Sequence, residues 1–292
     1  VIDFLRYRYI CAGFSVVFFV AGVAAFIHRG GFNYHIDFVG GTELQVSFEK
    51  PIQTSQLRSA LSEHKWQDPV IQSVGTESKQ FLIRVKQEGK TLEDQFKVVA
   101  KDSFVENKVA VDHISWVGAE VGNDIKWDAL ISVLLSLLVI LLYTALRSRY
   151  EFGIGAVAAL GHDVLALLAF LLIFNEQVSL NFLAALLTTL GYSINDTIVI
   201  FSRIQENSKK LKGVSLDYIV NLSINETMRR TLLTSITTFL AVFSIYLIGG
   251  EALRGLSLSL LVGIVAGTYS SVYIASPVML AFSRQKEDAP SA

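Results

Sequence analysis

The sequence predicts a polytopic α-helical membrane protein: six transmembrane helices, with one α+β ferredoxin-like extracytoplasmic domain between the first and second. Three observations carry this reading. Apolar residues make up 52% of the 292 residues and charged residues 17%, with a mean hydropathy of +0.47, whereas a soluble domain carries roughly 25% charge. Six runs, near 9–28, 128–146, 152–174, 178–201, 231–249 and 256–280, reach the ~20 mostly apolar residues that a membrane helix needs. Between 29 and 127 the charge density rises and the apolar runs shorten, which marks one inserted soluble domain.

The first run follows an opening Val1 and is too long for a signal-peptide core. Residues 1–28 therefore read as a cytoplasmic N-terminus with the first span, 29–127 as the outer domain, 128–282 as the remaining five helices and 283–292 as a cytoplasmic tail. Orientation follows from Lys and Arg beside the spans, because cytoplasmic loops keep the excess of positive charge. One side collects Arg6, Arg8, Arg147, Arg149, Arg203, Lys209, Lys210, Lys212, Arg229, Arg230, Arg284 and Lys286. The short loops at 175–177 and 249–255 on the other side offer only Arg254. Both termini are expected in the cytoplasm, with the 29–127 domain facing the periplasm or the cell exterior.

Within that domain Leu44, Val46 and Phe48 alternate as in a half-buried strand, and Thr54 is placed to cap a helix carrying Leu57 and Leu61. Strands at 70–74 and 80–86, a helix near 91–104 with Leu92, Phe96 and Val99 on one face, and a strand near 109–117 follow. The order β-α-β-β-α-β is the split arrangement of ferredoxin-like domains. Neither metal-ligand spacing nor a nucleophile elbow occurs in it, so no metal or cofactor is expected and a binding or mechanical surface is favoured.

The net charge is −1 without a basic, aromatic-interleaved stretch, so nucleic acid is a poor partner. Cys11 is the single cysteine, which excludes an intramolecular disulfide or a cysteine metal cluster.

Ionisable groups inside a span cost roughly 2.5–3.5 kcal/mol each, so they usually face a bundle interior or a water path. His162, Asp163 and Asp196 are of this kind. Around Asp196 the helix is polar, with Thr189, Tyr192, Ser193 and Asn195 within two turns. Thr189, Tyr192, Ser193, Asp196 and Arg203 fall on one helical face. The fifth span opens with a complementary row, Arg230, Thr234, Thr237 and Thr238. An Arg that stays charged can shift a carboxyl's proton affinity as their separation changes, so a titrating Asp196 beside Arg230 suits ion coupling. The plainer reading makes Asp196 a permanently protonated or salt-bridged packing residue. His162 and Asp163 point about 100° apart on their helix, and structural hydrogen bonding to a neighbouring span competes with a functional role. Gly263 and Gly267 form a GxxxG in the last span, which permits close helix approach.

The run GYSINDTIVIFSRIQEN at 191–207 resembles the signature of the SecD/SecF family of export-channel partners, within the resistance-nodulation-division superfamily. FVGGT at 38–42, carrying Phe38, Gly40, Gly41 and Thr42, is similar to the family's FxGGT element. VGAEVG at 117–122, GHDV at 161–164, RRTLLTSITT at 229–238 and GTYSSVYIASP at 267–277 also fit in order and position. Ser202, Gln205 and Ala119 depart from the family pattern, at a helix end, in a cytoplasmic loop and in the outer domain.

The short outer domain looks more like the SecF-type than the SecD-type members. The resemblance implies an accessory subunit that uses the proton-motive force, or sodium, to promote polypeptide translocation. Its implied partners are SecD, the SecYEG channel, the translocating preprotein and the lipid bilayer. Carried over by position, Asp196 would bind the proton and Arg230 would be its partner, with Asn195, Tyr192, Asp163 and Thr234 around them. Other readings remain: a small-molecule exporter of the same superfamily, an intramembrane aspartyl protease using Asp163 and Asp196, and a passive scaffold.

Overall fold

The computed structural model describes residues 2–66, 69–74, 78–86, 91–147 and 149–287, with backbone alone at 119, 144–147, 251, 252 and 284–287. The side chains of Arg147, Arg284 and Lys286, and the tail beyond 287, lie outside the described residues. In chain order the elements are α1 (Arg8–Arg29), α2 (Ile36–Val39), β1 (Gly41–Phe48), α3 (Thr54–Glu63), β2 (Val70–Val74), β3 (Gln80–Val85), α4 (Leu92–Ser103) and β4 (Val109–Val117). Then come α5 (Ala119–Arg147), α6 (Tyr150–Phe174), α7 (Leu180–Lys210), α8 (Leu216–Ile248), α9 (Glu251–Ser270) and α10 (Ser276–Glu287). A five-residue π-helical turn, Ser271–Ala275, joins α9 to α10. Two compact units result, Tyr34–Leu130 and Val1–Asn33 with Ile131–Ala292.

Among the described residues, six helical stretches are long and apolar enough to cross a membrane: Leu5–Arg29, Glu120–Tyr143, Tyr150–Phe174, Leu180–Lys210, Leu216–Ile248 and Leu253–Ser283. Burial among them is unequal. Both α6 and the last span have half or more of their apolar window covered by protein, whereas α5 has none. Close packing follows the smallest side chains: a Cβ on Gly22 of α1 would lie 2.8 Å from the Ala169 Cβ of α6, and one on Gly155 of α6 would lie 2.6 Å from the Ala275 carbonyl. At one end of the unit Arg29 donates to the carbonyls of Leu172 and Ile173, capping the C-terminus of α6. At the other end Ile2 N–H and Phe4 N–H each donate, at 2.8 Å, to Asn225 and Asn221 of α8. At 1.5 Å per residue, α7 and α8 run about 46 and 50 Å, well beyond the ~30 Å of hydrocarbon. Their surplus length carries a polar cluster in which Arg203 and Asn207 both donate to Glu226, at 2.6 and 2.7 Å.

The unit Tyr34–Leu130 contains a four-stranded antiparallel sheet in the order β2-β3-β1-β4. Leu44, Val46 and Phe48 face Leu57, Leu61, Phe81, Ile83, Phe96 and Val99 in one core, as period-2 and period-3.6 spacing predict. One detail differs from the sequence reading. Thr54 is the first helical residue of α3, and the cap is Gln53, whose capping box with Gln56 supplies the reciprocal bonds. Ahead of β1, Gly40 and Gly41 take φ of +74° and +126°. A Cβ on Gly41 would lie 2.5 Å from the Val85 carbonyl, so both conformation and space demand glycine. Gly122, at the start of α5, packs on the same turn, where a Cβ would lie 2.9 Å from Gly40 N. Phe38 and Thr42 flank it, buried.

A charged cluster pins this turn. The His35 ring contacts Asp37 Oδ2 at 3.0 Å and Glu43 Oε2 at 3.2 Å, and Arg84 pairs with the same Glu43. Burial opposes the imidazolium, but hydrogen bonds to Asp37 and Glu43, reinforced by their charges, push its pKa up to about 9. A doubly protonated ring has no acceptor, so the Asp37 N–H at 3.4 Å from Nδ1 is a contact rather than a cap bond. Burial pushes the Glu43 carboxyl up, and the His35 hydrogen bond with the Arg84 charge more than reverses this, leaving it below the usual range.

Because His35 is raised on folding, its contribution is complete below the unfolded value of about 6.5 and disappears as pH rises through about 9. All three tryptophans, Trp66, Trp116 and Trp127, lie in this unit, so their fluorescence in urea reports its unfolding. His35→Gln should lower stability by about 2 kcal/mol near pH 6, allowing for solvent screening, and by nothing measurable above pH ~9.5. An equal loss at both pH values would show that the ring acts through packing alone.

Candidate functional site

Thr189, Ser193 and Asp196 share one face of α7 and are all buried, Asp196 at 4% exposure. The last span makes this possible. A Cβ on Gly263 would overlap the Thr189 hydroxyl, and one on Gly267 would lie 2.9 Å from the Ser193 Cβ. The GxxxG is therefore the surface into which the polar face of α7 fits. Helix α8 closes the third side with Ser223, Thr227, Thr231 and Ser235, all buried and spaced by four.

Ser235 and Arg230 of α8 both act on the Asp196 carboxyl, Ser235 through its hydroxyl dipole and Arg230 through its charge. Ser235 also meets Thr268 Oγ1 of α9 at 2.8 Å. Three side-chain oxygens along this seam, Asp196 Oδ2, Thr189 Oγ1 and Thr231 Oγ1, are buried without a hydrogen-bond partner among the described residues. A row of unpaired polar atoms in a membrane interior suits water, a proton or a small cation. The described residues include no group of three or more His, Cys, Asp or Glu side chains able to hold a metal ion.

A second polar chain runs beside it. Ser193 donates to Asp163 Oδ2 at 2.6 Å, Asp163 Oδ1 lies 3.4 Å from His162 Nδ1, and His162 Nε2 lies 2.9 Å from Ser15 Oγ of α1. Ser15 meets Tyr269 Oη at 3.0 Å, and Tyr269 donates to the Cys11 carbonyl at 2.6 Å. Nearby, Thr197 Oγ1 meets Ser271 Oγ of the π-turn at 2.9 Å, a local widening of helical winding that often marks functional segments.

Asp196, Ser193 and Thr189 come together as the sequence suggests. Tyr192 reaches α8, donating to the Thr234 carbonyl at 2.7 Å and lying 2.8 Å from Thr238 Oγ1. Thr234 itself is half-buried and bonds back to its own helix, to the carbonyls of Arg230 and Thr231. Three features sit apart from Asp196. Asn195 is exposed, on a different face of α7. Arg203, which shares the Asp196 face by spacing, is held by Glu226 and Glu206. On α8 the row Arg230, Thr234, Thr237, Thr238 is displaced by one residue from the buried row, and Arg230 and Thr237 are exposed. Ser235, Thr231, Thr268 and Ser271 were missed; the four-residue spacing of Ser223, Thr227, Thr231 and Ser235 was the available signal.

The family model for the C-terminal region of the protein export membrane proteins SecD/SecF matches residues 97–285, and that of the SecD/SecF GG motif matches 26–52. The chain belongs to the SecD/SecF family. It is 38% identical over 283 residues to a protein translocase subunit SecF of Thermodesulfovibrio yellowstonii, covering 96% of this chain and 94% of that one. With the SecF of Escherichia coli O157:H7 it shares 35% over 292 residues, covering 98% and 90%. The crystal structure of SecDF, a translocon-associated membrane protein from Thermus thermophilus, superposes with a TM-score of 0.87 at 32% identity. That match covers 97% of this chain and 39% of the SecDF chain. Membership places this SecD/SecF protein among the membrane components of protein export, a transport role and not an enzymatic one. Asp163 is held by Ser193 and His162, whereas Asp196 Oδ2 has no hydrogen-bond partner among the described residues.

The glycine seam yields a test. Gly263→Ala should lower the thermal stability of the solubilised chain by about 1–3 kcal/mol, the usual cost of overpacking, because the new methyl meets Thr189. Gly255→Ala, with nothing within 4 Å, is the control and should be neutral or slightly stabilising. Equal melting of both variants with the parent would mean α7 and α9 are not in contact at that point.

Proposed function

We propose that the chain is the SecF-type subunit that works with SecD in a bacterial inner membrane, and that ion binding at Asp196 couples the proton-motive force to export of polypeptides through the SecYEG channel. The names of its full-length relatives and its superposition on one part of a fused SecDF chain support the pairing. One observation carries the ion-coupling step: a carboxylate buried in the bilayer region with one oxygen unpaired and an always-charged Arg230 nearby. Left ionised and unpaired, such a group is costly. Proton binding removes the charge and, with it, the attraction to Arg230 on the adjoining helix. The balance between two packings of α7 and α8 then shifts by the differential free energy of that contact.

The exposed side of the same helices supports a partner bundle. Asn181, Ala184, Thr188, Gly191 and Asn195 line one exposed face of α7 at three- and four-residue spacing, with Ser202 two turns further on. Arg230 and Thr237 are exposed on α8. Polar groups facing hydrocarbon are unfavourable, and small residues permit close helix approach, so this face suits the SecD-type bundle. The charge asymmetry of the loops supports cytoplasmic termini and an outer location for residues 34–130.

Asp196→Asn keeps volume and hydrogen-bonding capacity but cannot exchange a proton, and should insert normally while losing at least ~90% of gradient-stimulated export in membrane vesicles. Arg230→Met, which keeps the apolar stem and loses the charge, should behave likewise. Export at the parent rate in either variant would remove that residue from the mechanism. In a cysteine series, Ser78→Cys should react with an impermeant reagent from outside, Ser208→Cys should not, and Asn195→Cys should cross-link to the SecD-type partner. Inverted labelling would reverse the orientation, and capture of lipid alone at 195 would reject the partner face.

A further inference from the structure

The chain from Ser193 to Cys11 is short of one hydrogen. It has five contacts: Ser193 Oγ to Asp163 Oδ2, Asp163 Oδ1 to His162 Nδ1, His162 Nε2 to Ser15 Oγ, Ser15 Oγ to Tyr269 Oη, and Tyr269 Oη to the Cys11 carbonyl. A carbonyl only accepts, so the Tyr269 hydrogen is committed to Cys11; an ionised Asp163 only accepts, so the Ser193 hydrogen is committed to Asp163. Three contacts remain, and a neutral imidazole with the Ser15 hydroxyl offers two hydrogens.

Either tautomer then fails at one place. With hydrogen on Nδ1, Ser15 must donate to Nε2, and the Ser15 and Tyr269 oxygens face each other at 3.0 Å with no hydrogen between them. With hydrogen on Nε2, the Nδ1 lone pair faces a carboxylate oxygen at 3.4 Å. One additional proton on the pair satisfies all five contacts in a single direction.

A second observation agrees. Asp163 is fully buried, and the His162 side chain is 10% exposed. Tyr269 packs on the His162 ring, with Cys11 and Tyr273 beside Tyr269, and Asp196 lies less than one turn beyond Ser193 on α7; among the described residues neither His162 nor Asp163 forms an ion pair with a Lys or Arg. An ionised Asp163 beside a neutral ring would then be a buried net charge with no opposite charge paired to it, the arrangement a membrane interior disfavours most. One added proton brings the pair to net zero, as imidazolium with carboxylate or as imidazole with carboxylic acid. Ser15, His162 and Tyr269 also line a cavity of about 380 Å³ whose other walls are apolar, so the pair is shielded on that side by hydrocarbon rather than by charge.

We propose that His162 and Asp163 together hold one proton at neutral pH and form a second proton-binding centre, separate from Asp196 and linked to its helix through Ser193. Loss of that proton breaks the chain that ties α1, α6, α7 and the last span together. The proposal extends the proton-coupling reading of Asp196 and rests on it for its role in export.

The test uses the chain with its SecD-type partner in nanodiscs at neutral pH, with nitrogen-15-labelled histidine and infrared detection of protonated carboxyls. His162 is assigned among the five histidines by loss of its signal in His162→Gln, or, should that variant not fold, by its shift in Ser15→Ala. The expected result is an imidazolium with both ring nitrogens protonated, or a neutral ring together with a protonated carboxyl band that vanishes in Asp163→Asn. Either form holds the fifth hydrogen. A neutral ring beside an ionised Asp163 overturns the proposal. Asp196→Asn is measured in parallel: if it is export-dead while the pair lacks its proton, this inference alone fails. If Asp196→Asn exports normally while the pair keeps its proton, the coupling role of Asp196 fails and the second centre stands.

Discussion

The site depends on the absence of two side chains. Gly263 and Gly267 let the last span lie directly on Thr189 and Ser193 of α7, and that contact buries Asp196 three residues further on. In a bilayer there is no hydrophobic gain in bringing helices together, so contact is held by dispersion at close range and by polar groups that find partners across it. The seam has both. Glycine faces hydroxyl at two levels, and Ser235, whose hydroxyl acts on Asp196, meets Thr268 at the next. A carboxylate placed there is shielded from water, close to a fixed positive charge and incompletely paired, so its protonation changes the local free energy by more than it would at a surface.

Much of this was legible in the sequence. The six spans are long apolar runs, and the strand and helix order of the outer domain follows from clear periodicities around Leu44, Phe81 and Phe96. Asp196 stood out because idle charge in a span is costly. The face of α8 was not legible, for a physical reason. Serine and threonine in helices satisfy their own hydroxyls on carbonyls one turn back, as Thr234 does on Arg230 and Thr237 on Leu233, so a hydroxyl need not point inward. Two overlapping rows of hydroxyls one residue apart therefore read alike, and only packing against α9 selects the row with Thr231 and Ser235. Asn195 and Arg203 are a different case. Helical spacing shows which residues share a face, whereas Arg203 found its charge partner, Glu226, on the next helix.

The outer domain shows the same economy at its entrance. Gly40 and Gly41 turn the chain where no other residue would fit, Gly122 closes over that turn, and the cluster of His35, Asp37, Glu43 and Arg84 fixes it to β1 and β3. The long apolar α5, unburied within this chain, and the exposed polar face of α7 both describe a bundle that is one part of a larger assembly.

The central claim is that Asp196 carries the coupling ion, and direct proton flux tests it. Proteoliposomes holding the chain with its SecD-type partner are given an imposed pH gradient, and interior acidification is followed with a trapped dye. Flux well above that of protein-free liposomes is predicted for the parent, falling to the lipid leak in Asp196→Asn at equal reconstitution. Undiminished flux through Asp196→Asn would contradict the account.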